Sequence, residues 1–172
     1  HHVAGKAVAL AESLEFGEEY AKQVIKNAKM LAYSLANHGF NVLGEKRGYT
    51  ESHQLAVDVS NYGDGGTIEK DLEKCNIILN RQLLPGDIKE GRNYFHPSGV
   101  RIGVPEVTRL GMKEDEMQEI ATFIKKVVID KQDIPKVLQN VTEFKKNFQK
   151  VHYAFDNETS AYQYIQLVNR KE

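Results

Sequence analysis

The sequence predicts an α/β or α+β domain, with a small, largely antiparallel sheet covered by helices. Three observations carry this. Apolar stripes at helical spacing run through residues 3–37. Short alternating segments bounded by glycines fill the middle. Two further amphipathic helices follow.

The elements follow in order. Ala7, Leu10, Ala11 and Leu14 make one stripe. Ala21, Val24, Ile25, Ala28, Leu31, Ala32 and Leu35 make a longer one. Phe16-Gly17 lies between them, so two helices or one kinked helix are expected, ending where Gly39 can take a left-handed cap. Residues 40–43 read as a short strand and residues 44–50 as a polar loop. Leu55, Val57 and Val59 alternate with smaller or polar residues, which marks a strand with one buried face. After a turn at 61–66, Thr67 is expected to cap a helix over 68–74 that buries Ile68, Leu72 and Cys75. Residues 77–81 and 100–103 read as strands. The loop between them, 82–98, is long enough to suggest a functional segment. Met117, Ile120, Ala121, Ile124, Val127 and Val128 mark a strong amphipathic helix. A last helix is expected to start at Asp133 with Pro135 in its first turn, and its stripe runs from Val137 to Val151. Residues 157–172 are weakly patterned.

Composition narrows the function. The chain has 172 residues, 41% hydrophobic and 27% charged, with a net charge of −1. That supports one domain, or a domain with an appendage, and excludes wholesale disorder. Near-neutral charge argues against a nucleic-acid or membrane-surface binder. No apolar run approaches the roughly 18 residues of a membrane span. Cys75 is the lone cysteine, so no internal disulfide is possible and a cytoplasmic setting is expected. His1 and His2 read as a tag remnant or as native residues. No signal peptide follows them, and the chain starts inside a helical pattern, as a fragment would. The glycosylation triplets at Asn140 and Asn157 read as chance.

The familiar chemical motifs are absent: no phosphate-binding glycine loop, no paired cysteines, no nucleophile elbow, no His-Glu-x-x-His. None of the six histidines has another at ligand spacing except the first two. No metal site is expected. The informative segment is Ser98-Gly-Val-Arg-Ile-Gly-Val-Pro105. Arg101 sits in an apolar strand, and alternation turns it away from the face of Val100 and Ile102. Gly99 and Gly103 leave room for another group to approach the backbone. A guanidinium there offers a planar fork that matches a carboxylate. The plain alternative is an edge-strand arginine facing solvent or held in a structural ion pair.

The stretch from Ser98 to Met112, S-G-V-R-I-G-V-P-E-V-T-R-L-G-M, resembles the serine hydroxymethyltransferase signature S-G-[IV]-R-[IV]-G-T-P-A-x-T-x-R-G. Three other stretches agree, in the same order and at similar spacing. Residues 3–10 resemble the family's A-A-K-A-V-A helix, residues 19–29 its long second helix, and Asn80-Arg-Gln-Leu-Leu-Pro85 its N-K-N-x-x-P segment. The resemblance covers about residues 3–128. It implies the C-terminal small domain of a fold type I, aspartate-aminotransferase-like pyridoxal phosphate enzyme that interconverts serine and glycine with a reduced folate or pterin. By the resemblance, residues 1–38 are connecting helices from a large domain, 39–130 the small domain and 131–172 a helical extension. Arg101 would grip the substrate carboxylate from a buried place on the sheet. Gln82 and Phe95 would contact the pterin, and His53 would be structural. Gln82 stands where the family commonly has Asn, Val104 where it has Thr, and Glu106 where it has Ala, so a modified pterin is one expectation. The cofactor lysine and its neighbours would lie upstream; Lys6 falls in the downstream helix motif. The isolated chain is thus expected to be inactive and to bind no pyridoxal phosphate, and the whole enzyme to be a homodimer. Two rivals stand beside this reading: a threonine aldolase or transaminase of the same fold, and a stand-alone interaction module without catalysis.

Overall fold

The computed structural model describes residues 1–156 and residue 161. A single helix, α1 (His2–Asn37), runs 36 residues without a break. It is followed by β1 (Asn41–Val42), a 3-10 turn (Glu45–Arg47), β2 (Gln54–Asp58), α2 (Gly65–Glu73), β3 (Asn80–Gln82), β4 (Gly99–Gly103), α3 (Pro105–Arg109), α4 (Glu114–Val128) and α5 (Ile134–Lys145). The four strands form one antiparallel sheet in the order β1-β2-β4-β3.

Alternation sorts the sheet into two faces. Leu55 and Val57 of β2 and Val100 and Ile102 of β4 are buried on one face. Val57, Val100 and Ile102 meet Leu35 of α1, Ile68 and Leu72 of α2 and Ile124 and Val128 of α4 around a shared apolar seam. Gln54, Ala56, Asn80, Gln82 and Arg101 belong to the other face, which these helices leave uncovered. That placement follows from register: Arg101 lies opposite Ala56 on β2 and Asn80 on β3, while Gln82 lies opposite Gly99.

The expected elements are present, and three details change: the break at Gly17, the cap of α2 and the bounds of β3. Gly17 does not interrupt α1: the helix runs continuously through it, and nothing lies within 4 Å of its side-chain position. The stripe of Ala7, Leu10, Ala11 and Leu14 is exposed, with Leu14 at 90%. Of the longer stripe, Val24, Ala28, Leu31, Ala32 and Leu35 are buried, whereas Ala21 is exposed. The cap of α2 is Asp64, not Thr67: its carboxylate accepts from the Gly66 and Thr67 amides at 3.0 and 3.1 Å, and the helix starts three residues earlier than its apolar pattern. The strand expected over 77–81 is β3, shifted to Asn80–Gln82 because that is where β4 offers partners.

Two polar arrangements fix α1 against the rest. Asn27 is fully buried. It donates to Thr108 Oγ1 at 2.8 Å and to the Met112 carbonyl at 2.9 Å, and accepts from Gln23, which also donates to Glu114. Nearer the helix start, Glu12 accepts from Arg109 Nη2 at 3.1 Å and from the Phe155 amide at 3.2 Å. Arg109 also donates to the Tyr153 carbonyl at 2.8 Å, so the segment after α5 lies across α1. Of α5's expected stripe, Val137 and Val141 are buried. Asp133 stands at its N-cap position without a side-chain bond to the helix. The expectation for residues 157–172 lies outside the described residues, residue 161 apart.

Candidate functional site

The open face of the sheet forms the floor of a cleft of about 530 Å³. Arg101 and Gln82 both line it, with Gln54, Leu55 and Ala56 of β2, Leu43, Gly44, Tyr49 and Ser52 before β2, and Leu83, Leu84 and Pro85 after β3. Arg101 is exposed, not buried, in this chain. Its burial is not provided by the described residues, since β4 sets it on the face that carries no helix. It makes no side-chain hydrogen bond or ion pair among the described residues, which leaves its donors available to a ligand.

Three local features set the cleft's shape. Arg81, next to Gln82, points to the helical side, where its backbone and side-chain N–H groups both donate to Glu69 of α2. That double tie holds β3 in register, so that Asn80 and Gln82 belong to the open face. Gly44 and Tyr49 form the rim. Tyr49 has a φ of 69°, and a side chain at Gly44 (φ 86°) would start 2.6 Å from the Tyr49 carbonyl oxygen. On the far side, Leu84 fills the space over Gly99: a Cβ at that glycine would lie 2.5 Å from Leu84 Cγ. The room expected beside Gly99 is thus taken by a residue of the same chain. At Gly103 the nearest atoms are 3.7 Å and more away.

Gln82 donates its amide N–H to the Leu83 carbonyl at 3.0 Å. Phe95 is not brought to the cleft. It is 67% exposed on the 83–98 loop, edge-on to Tyr94 with 5.9 Å between ring centroids. The His53 ring is exposed; the residue serves the fold through its carbonyl, which accepts from Val104 N at 3.1 Å. Sequence reading missed Leu84, Tyr49 and Asp87. Asp87 is a 2% exposed carboxylate beneath the loop. Its signal is weak: an acidic residue between Gly86 and Ile88 reads as solvated. No group of three metal-ligating side chains occurs among the described residues.

This architecture has a solved counterpart. The L-threonine transaldolase of Pseudomonas fluorescens, in its internal aldimine state, matches 90% of this chain and 34% of its own length, with a TM-score of 0.76 and 33% identity. The class is therefore the α/β small domain of fold type I pyridoxal phosphate enzymes. The sequence profile of serine hydroxymethyltransferase matches residues 1–124. Serine hydroxymethyltransferases of Nitrosopumilus maritimus and Pyrococcus furiosus are 64% and 56% identical over 97% and 91% of the chain. The chain belongs to the serine hydroxymethyltransferase family. It spans 39% and 36% of the length of those two relatives.

Pyridoxal phosphate needs an amine for its aldehyde and an acid for its ring nitrogen. Among the described residues lining the cleft there is no lysine, aspartate, glutamate or histidine. The group does not fit the cleft as these residues form it, and the chemistry available here is that of binding: one guanidinium, one amide, and apolar walls.

Proposed function

We propose that this chain supplies the substrate-binding side of a pyridoxal phosphate-dependent serine hydroxymethyltransferase. The observation that supports it best is Arg101, a guanidinium without a side-chain partner among the described residues, on the open sheet face beside Gln82 in one cleft. Two parallel N–H groups of Arg101 would hold the α-carboxylate of serine or glycine, fixing how the Cα bonds stand to the reacting ring. Gln82, whose side-chain carbonyl has no hydrogen bond among the described residues, would take a donor edge of the pterin. Phe95, out on the loop, would meet only the part of such a ligand that extends beyond the cleft. The cofactor serves as electron sink when bound, and the segment of the enzyme that carries its lysine would close over the open face and bury Arg101. The isolated chain would then be inactive, and the whole enzyme a homodimer. A cytoplasmic setting agrees with the lone, buried Cys75; no helix of the described residues is long and apolar enough to cross a membrane.

The test uses a chimera in which this chain replaces the matching segment of the Nitrosopumilus maritimus relative. Arg101→Lys should raise the KM for serine at least about tenfold, because lysine lacks the fork. Ordinary serine turnover by that variant would refute the reading. Pterin-dependent formation of glycine would separate it from an aldolase or transaminase. Mixed with pyridoxal phosphate, the isolated chain should give no borohydride-reducible adduct at a specific lysine.

A further inference from the structure

We propose that Asp87 is a positioning residue for the Arg101 cleft, acting by holding Leu84 over Gly99 as the apolar wall beside the guanidinium. The inference rests on the reading of Arg101 as a carboxylate grip and adds to it a determinant that never touches substrate.

The geometry starts from a buried acid. Asp87 is 2% exposed, and one of its oxygens, Oδ2, accepts from two amides: Leu84 N at 3.0 Å and Ser98 N at 2.9 Å. Those amides belong to the two ends of the loop between β3 and β4. The carboxylate therefore closes the loop at its base, and its own amide donates back to the Leu84 carbonyl at 3.1 Å. With its backbone held on both sides, Leu84 has one place to go: onto the bare backbone of Gly99, two residues before Arg101 on β4.

The consequence for binding is electrostatic. A carboxylate–guanidinium contact weakens when water reaches it and strengthens when apolar surface excludes water. Leu84 stands over Gly99, two residues before Arg101 on β4, and it lines the same cleft. Fixing it in advance spares the ligand the cost of ordering that wall on binding.

The chimera described above tests this through the separation of KM from kcat. Leu84→Ala and Asp87→Ala should each raise the serine KM by about fivefold to tenfold, with kcat changed less. Asp87→Asn should recover most of that loss, because a single amide oxygen can accept both N–H groups. A general loss of fold would not show this recovery. In the isolated chain, the Leu84 and Ser98 amides should exchange slowly in the wild type and in Asp87→Asn, and fast in Asp87→Ala. Should Leu84→Ala leave the serine KM within twofold while Arg101→Lys raises it, the positioning role is overturned and the carboxylate grip stands. Should Arg101→Lys also leave it unchanged, both are overturned. Slow exchange of both amides in Asp87→Ala would overturn the clip by itself.

Discussion

At Gly111 the backbone turns with φ 86°, and the His152 ring lies where a side chain would begin, 2.5 Å from an added Cβ. Two constraints meet at one residue. The left-handed conformation costs a non-glycine residue about 1–2 kcal/mol, and the exposed imidazole would have to turn aside for a methyl group. His152 cannot simply swing away with its backbone, since its amide donates to the Arg109 carbonyl at 2.8 Å. Gly111→Ala should therefore destabilise the chain by about 1–3 kcal/mol in urea unfolding, most of it from the backbone. Adding His152→Ala should return part of that loss, leaving the backbone share.

Among the elements, α1 shows how one helix is held in two ways. Its second half packs by apolar contact, with Val24, Ala28, Leu31 and Leu35 in the core. Its azimuth is set by Asn27, whose amide satisfies Thr108, Met112 and Gln23 together. Asn27→Ala would leave the Met112 carbonyl without that donor in a dry place. The expected cost is about 2–3 kcal/mol, read as a shift in the urea midpoint with an unchanged slope. The first half of α1 has no such packing. Its apolar Leu10 and Leu14 are exposed, and the Glu12 contacts to Arg109 and Phe155 are the main polar ties described there. Periodicity locates both halves equally well, because it records which residues share a stripe and not what covers the stripe.

For the molecule as a whole, acid is the condition to which the fold is sensitive. At Asp87, burial pushes the carboxyl up, but donation from Ser98 and Leu84 and the Arg92 charge outweigh it and hold it below its usual range. Asp64 behaves alike: burial raises it, and Thr67, Gly66 and His96 more than compensate. Glu114 is lowered chiefly by Gln23, against the effect of burial. Each is more acidic folded than unfolded. The stability they contribute is thus complete above their unfolded values, near 4, and drains as pH falls through that region toward the lower folded values. A urea midpoint flat from pH 7 to about 5 and falling below about 4 is expected, with a shallower fall in Asp87→Asn. Much of the fold could be read from the chain. The Leu55-Val57-Val59 alternation and the α4 stripe each encode a buried face within a few residues, and Arg101 could be placed opposite Val100 by parity alone. What could not be read depends on partners far along the chain. Ile77, Ile78 and Leu79 look like strand residues, yet Ile78 is 78% exposed, because β3 forms only where β4 has free edge. Asp87 carries no local signal of burial because its two amide partners come from either end of the loop.

Leu84 and Gly99 share a single volume on the sheet. Neither position can drift alone: a methyl added at the glycine evicts the leucine, and a shorter residue at the leucine leaves a notch beside the cation. Across descendants of this sequence the two sites are bound to vary as a pair, large with small, and a scheme that redesigns the cleft one position at a time would find both blocked.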